Sequence, residues 1–211
     1  MSNEKVLTIK ETFELAVKNH REGKTDIAQE LYNQTLKINP SHSQALNNLG
    51  MIFKGLGENQ KAKDCFEKSI EINPNYADAY NNLGMIFKGL GENQKTKKCF
   101  EKSIEVDPNY VNAHYNLGVV FKELEENQKA KKCYEKVIEL NPNYAVAHYN
   151  LGVIFKELEE NQKAKECYEK AIKLNPNYAD AHNNLGIVFK ELEENQKAKE
   201  CYEKAIKLNP N

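Results

Sequence analysis

Asn150-Leu151-Gly152-Val153-Ile154-Phe155-Lys156 is one of five near-copies of a run, since Asn-Leu-Gly also stands at Asn48, Asn82, Asn116 and Asn184, always 34 residues apart. A fixed period of that length means a stack of similar supersecondary units. Each of the five copies continues through Glu-Asn-Gln-Lys and Cys-(Phe or Tyr)-Glu-Lys and closes on Asn-Pro or Asp-Pro. Units open at Ile9, Ser43, Ala77, Val111, Ala145 and Ala179, giving a tail at residues 1–8 and six units at 9–42, 43–76, 77–110, 111–144, 145–178 and 179–211. Places below are counted from the first residue of a unit.

Within a unit, Ala79, Tyr80, Leu83 and Phe87 lie on one stripe of a helix with about 3.6 residues per turn, and Ala62, Phe66, Ser69 and Ile70 do the same in the second half. Each unit is therefore two amphipathic helices. Pro40, Pro74, Pro108, Pro142, Pro176 and Pro210 stop the second helix, and the residues equivalent to Asn59 are expected to cap its start. Strand signals are absent. A single pair cannot bury its apolar faces, so neighbouring pairs must stack and the expected class is an all-α solenoid.

Thirty Lys+Arg against 31 Asp+Glu leave a formal net charge of -1 and a pI near 6.5. That balance argues against nucleic acid or an anionic membrane surface as partner. Mean hydropathy is -0.77, and apolar runs such as Leu117-Gly118-Val119-Val120-Phe121 are far shorter than the roughly 20 residues that span a bilayer. The polar start, with Glu4 and Lys5, does not read as a secretory signal, so a cytoplasmic location is expected.

The period, with Leu and Gly at places seven and eight, Phe at eleven, Ala at twenty, Phe or Tyr at twenty-four and Pro at thirty-two, resembles the tetratricopeptide repeat from Ile9 to Asn211. The resemblance implies a right-handed superhelix of six helix pairs whose first helices line a concave groove. The run Asn-Asn-Leu-Gly-x-x-Phe-Lys further resembles the repeat arm of O-linked N-acetylglucosamine transferases. Departures from the pattern are local. Place fifteen is Gly23, Gly57 and Gly91 in three units but Glu125, Glu159 and Glu193 in the others, where a left-handed turn would cost glutamate up to about 1 kcal/mol relative to glycine. Ala16, Asn19 and Glu14 replace the Gly, Phe and Asn of the repeat in the first unit, which is expected to cap the array.

One cysteine per unit, Cys65, Cys99, Cys133, Cys167 and Cys201, recurs at equivalent places. Such places on stacked helices lie about 8–10 Å apart, beyond disulfide reach, and no Cys-x-x-Cys or Cys/His pair offers metal ligands. The cysteines, and His114, His148 and His182 at place four, read as packing residues. No nucleophile motif, acidic pair or phosphate loop appears. No enzyme activity, metal or cofactor is expected.

On the first helices, places that face away from the Leu/Phe stripe would be charged if simply solvated. Instead, place six is Asn48, Asn82, Asn116, Asn150 and Asn184, and place nine is Met51, Met85, Val119, Val153 and Ile187. An amide that can both donate and accept, beside an aliphatic that shields the bond, reads as a peptide-binding groove; the alternative is that these side chains knit adjacent first helices together. Place twelve, including Lys54, Lys88, Lys122, Lys156 and Lys190, reads either as a basic rail for acidic peptides or as lysines satisfied within their own helix by Glu58, Glu92, Glu126, Glu160 and Glu194 four residues on. Five asparagines about 8–10 Å apart would suit an extended segment of about 10–12 residues.

The expected function is a non-catalytic scaffold for a protein or peptide partner. The rivals are the substrate-recruiting arm of a larger glycosyltransferase or sulfotransferase, and a consensus-like array without a natural ligand. Among relatives a solvating helix usually follows the last unit, so Tyr202, Ile206 and Leu208 are expected either to drive end-to-end self-association or to be covered by a continuation of the natural protein beyond residue 211.

Overall fold

The computed structural model describes residues 7–210. Most of the tail expected at residues 1–8, namely residues 1–6, lies outside the described residues, as does Asn211. Every regular element described is an α-helix. The helices are α1 (Ile9–Arg21), α2 (Thr25–Ile38), α3 (Ser43–Gly55), α4 (Asn59–Ile72), α5 (Ala77–Gly89) and α6 (Asn93–Val106), then α7 (Val111–Glu123), α8 (Asn127–Leu140), α9 (Ala145–Glu157), α10 (Asn161–Leu174), α11 (Ala179–Glu191) and α12 (Asn195–Leu208). They form six antiparallel pairs, divided between two compact units, Met1–Tyr110 and Val111–Asn211.

In the first unit α2 packs on α3 and α4 on α5; in the second, α8 packs on α9 and α10 on α11. Their cores are built from the same places. In the first unit Ala62 and Phe66 of α4 meet Leu83, Ile86 and Phe87 of α5. In the second, Ala113, Leu117, Val120, Tyr134, Ala147, Leu151, Ile154 and Tyr168 are buried. At place twenty-seven the first unit adds a polar tie: Ser69 Oγ donates to the Ser43 carbonyl at 2.9 Å and Ser103 Oγ to that of Ala77 at 2.8 Å.

The glycine at place eight sets how closely the two helices of a pair approach. A Cβ on Gly84 would lie 2.7 Å from Cε1 of Phe100, whose side chain is fully buried, and a Cβ on Gly152 would lie 2.7 Å from Cε1 of Tyr168. These distances are shorter than carbon atoms tolerate. The ring at place twenty-four therefore occupies the space that a side chain would need.

Between the helices of a pair the chain turns in one way throughout. After α3, the Gly57 N–H donates to the Lys54 carbonyl and the Glu58 N–H to that of Phe53, with Gly57 at φ +75°. This is a Schellman turn. After α7 the same two bonds form from Glu125 and Glu126, and Glu125 takes φ +58°; Glu159 and Glu193 follow at +60° and +61°. The glutamates thus accept the left-handed conformation that glycine takes elsewhere.

The same turn corrects the expected caps. Glu58, not Asn59, is the N-cap of α4, and its carbonyl accepts the first helical bond, from Ala62. The turn delivers its last residue directly to the cap position, so Asn59 is already inside the helix and its side chain caps nothing. At the other end, Asn73 stays extended ahead of Pro74, and its side-chain oxygen accepts from the Asn75 N–H at 3.1 Å. In the first unit α1 alone opens on a capping box, with Thr8 and Glu11 bonded reciprocally.

Two stability measurements follow. Gly84→Ala should lower unfolding free energy by about 1 kcal/mol, because overpacking of about 1–3 kcal/mol outweighs a helix-propensity gain of about 1 kcal/mol. Gly89→Ala in the same helix, with nothing within 4 Å of its added Cβ, should raise it by about 0.5–1 kcal/mol. Equal shifts in urea titrations would remove the ring contact as the reason for Gly84. Glu125→Gly should stabilise by about 0.5–1 kcal/mol, and Gly57→Glu should do the reverse.

Candidate functional site

The first helices carry the candidate site. Each asparagine at place six is half-buried, and in the first unit Asn48 Nδ2 donates to the Tyr32 hydroxyl at 3.2 Å while Asn82 Nδ2 donates to Asn47 Oδ1 at 3.0 Å. In the second unit Asn150 Nδ2 donates to the Tyr115 hydroxyl at 3.4 Å and Asn184 Nδ2 to that of Tyr149 at 3.2 Å. Asn116 lies at the equivalent place of α7. The knitting of neighbouring first helices is therefore present. It uses part of each amide, which has two donors and an oxygen with two lone pairs.

The partners of Asn82, Asn150 and Asn184 occupy place five, which the periodicity did not single out, whereas Asn48 reaches Tyr32 on the second helix of the preceding pair. Tyr115 and Tyr149 also sit 5.4 Å and 4.8 Å, centroid to centroid, from Tyr144 and Tyr178, the residues just ahead of α9 and α11. The signal was available: Phe13, Tyr115 and Tyr149 share one place, and His42, Tyr76, Tyr110, Tyr144 and Tyr178 share another. Of the place-nine residues, Met51 and Ile187 are 39% and 38% exposed, whereas Met85, Val119 and Val153 are half-buried. In the first unit a cavity of about 400 Å³ opens among Val17, His20, Arg21, Tyr32 and Asn48. Burial lowers the pKa of His20 there.

In the second unit two lysines of place twelve are arranged differently from either sequence reading. Lys122 pairs with Glu157 at 2.5 Å and Lys156 with Glu191 at 2.8 Å, each partner lying on the next first helix. The glutamates four residues on are engaged elsewhere: Glu58, Glu160 and Glu194 pair with Lys61, Lys163 and Lys197. The Schellman turn explains this, because it carries Glu58 out of α3 to the start of α4, where a lysine three residues on is its helical neighbour. In the second unit Lys122 and Lys156 are thus neutralised. Among the described residues Lys54 has no ion pair, and burial lowers its pKa. Lys88 is half-buried at the end of α5.

The histidines at place four serve the fold. His148 Nε2 donates to the Pro142 carbonyl at 2.9 Å and His182 Nε2 to that of Pro176 at 3.1 Å, tying the start of a first helix to the proline before it. The five cysteines are free thiols. Among the described residues no group of three or more His, Cys, Asp or Glu side chains gathers to hold a metal ion, and no helix is long and apolar enough to cross a membrane.

Antiparallel helix pairs that recur every 34 residues, with amides and aliphatics at matching places of the first helices in each unit, define a helical-repeat protein. The chain belongs to the tetratricopeptide repeat family, whose profile matches residues 43–76, 77–110, 111–144, 145–178 and 179–211. A comparison with curated protein sequences found no match. Among solved structures it is similar to pilF of Pseudomonas aeruginosa, at 19% identity and a TM-score of 0.87 over 96% of this chain and 92% of that one. YrrB, described as a TPR protein with an unusual peptide-binding site, matches at 23% identity and a TM-score of 0.73 over 85% and 93%. A MamA segment from Desulfovibrio magneticus RS-1 matches at 23% identity and 0.71 over 80% and 95%. At these identities the likeness is one of fold.

Burial raises the thiol pKa values, to about 11 for Cys65 and Cys99 and about 12 for Cys167. A thiol kept neutral by the fold contributes stability that is complete below its unfolded pKa of about 8.5 and is lost as pH rises toward the folded value. The buried tyrosines Tyr134 and Tyr168, also shifted upward by burial, act in the same sense at higher pH. The urea midpoint should therefore fall steadily between about pH 8.5 and 11. Native thiols should also react slowly with iodoacetamide at pH 8, and a flat midpoint or five fast thiols would contradict the burial.

Proposed function

We propose that the chain is a non-catalytic interaction scaffold that binds an extended segment of a partner protein along its first helices. The observation that carries this reading is the row of half-buried amides, each tied on one side to a neighbouring Tyr or Asn and set beside aliphatic side chains such as Met51 and Ile187. The tie orients the amide in advance, so a ligand backbone gains the bond without the cost of ordering the side chain. The aliphatic neighbours would shield that bond from water. In the second unit Asn116, Asn150 and Asn184 span two inter-repeat steps, about 16–20 Å, which accommodates about 5–6 extended residues. The free thiols suit a reducing, cytoplasmic setting.

A second reading, recruitment for a larger glycosyltransferase or sulfotransferase, uses the same amide row and rests on the run Asn183-Asn184-Leu185-Gly186. Both readings need the asparagines. Panning a library of random decapeptides should yield binders, and Asn116→Ala, Asn150→Ala and Asn184→Ala combined should weaken the best of those that contact the second unit. Three backbone hydrogen bonds at about 0.5–1.5 kcal/mol each correspond to a loss of about tenfold or more. Unchanged helix content by circular dichroism would keep the loss attributable to the groove. Undiminished affinity would remove the amide row from the proposal.

A further inference from the structure

The second unit contains a carboxylate held in a way that can be read atom by atom. Glu157, the last residue of α9, places Oε1 2.5 Å from Lys122 Nζ and Oε2 3.0 Å from Asn127 Nδ2. Lys122 is at place twelve and Asn127 at place seventeen, so the two donors flank the turn between α7 and α8. The carboxylate comes from place thirteen of the next repeat.

In the first unit the same two donors recur without the acid. Lys54 and Asn59 stand at places twelve and seventeen, flanking the turn between α3 and α4, but place thirteen of the next repeat is Gly89. A Cβ at Gly89 would meet nothing within 4 Å, so the side chain that the second unit carries at this place has an unobstructed start here. Lys54 is half-buried and, among the described residues, without an ion pair, and the glutamate four residues on, Glu58, is bound to Lys61. Met51 lies three residues before Lys54 and Met85 four before Gly89, hence on the same helix faces.

We propose that Lys54 and Asn59 form a carboxylate subsite, open over Gly89, that takes an aspartate or glutamate side chain of the bound peptide. The inference rests on the peptide-binding reading and gives the first unit a preference for acidic segments. A planar carboxylate matches one ammonium and one amide N–H, a donor for each oxygen. The second unit supplies that acid from its own chain and has no such demand at Lys122.

Decapeptide pools selected on the wild type should be enriched in Asp and Glu. Gly89→Glu supplies the acid internally and should abolish the enrichment, while Gly89→Ala should keep it. The best acidic binder should lose about fivefold in affinity when its acid becomes the amide, an effect of about 1 kcal/mol for a half-buried pair. On Lys54→Met and Gly89→Glu the acid and amide forms should differ by less than about twofold, and raising the salt concentration should shrink the wild-type difference. Binders without acidic enrichment, or a preference that survives Gly89→Glu, would overturn the subsite alone. A library that yields no binder would overturn the peptide-binding reading with it. Thermal unfolding of each variant confirms that the fold is retained.

Discussion

The contact between the place-eight glycine and the place-twenty-four ring is the constraint on which the rest of the structure depends. Gly50, Gly84, Gly118, Gly152 and Gly186 each lie where a Cβ would sit less than 3 Å from a ring carbon of Phe66, Phe100, Tyr134, Tyr168 or Tyr202. The helix gives up about 1 kcal/mol of propensity at each glycine. In return the rings of Phe66, Phe100, Tyr134 and Tyr168 are buried against backbone, and the two helices of a pair come close enough for the alanines at places three and twenty to be buried. Once the pair is fixed, the facing of every other residue on the first helix follows from its turn angle. The amides, aliphatics and lysines of the candidate site are placed by this contact rather than by anything they touch.

What could be read from the sequence was what depends on a residue's own helix. Pro74 and its equivalents end one helix of a pair, and the left-handed residue at place fifteen ends the other. Knitting between neighbouring first helices was one of two readings of the asparagines, but the partners and the register of such contacts were not legible. The Lys122–Glu157 pair joins residues 35 apart, one more than the period, and a search within one helix finds Glu126 instead. The Asn150–Tyr115 and Asn184–Tyr149 bonds have the same separation. A step of one repeat plus one place is thus the register in which adjacent first helices meet within a unit, and periodicity alone does not disclose it. The Asn59 cap failed for a different reason, since only the turn geometry shows that Glu58 is already the last residue before the helix.

Places thirteen and fifteen both change from glycine to glutamate between the third repeat and the fourth, yet the change has opposite physical meaning at the two. At fifteen the backbone is left-handed in all units, so glycine is the easier residue and Glu125, Glu159 and Glu193 carry a conformational cost. At thirteen the backbone is helical and the space open, so Gly55 and Gly89 are the residues that carry a cost in helix propensity, and Gly89 also lacks the carboxylate that could pair with Lys54. Conformation therefore explains the glycines at fifteen but not those at thirteen. What distinguishes Gly89 from Glu157 and Glu191 is the state in which it leaves the lysine of the preceding repeat. A half-buried ammonium without a counter-charge is less stable than a paired one, and it is also the arrangement that gains most when a carboxylate arrives from outside. The cost at Gly89 and the affinity attributed to Lys54 are then two consequences of one missing side chain.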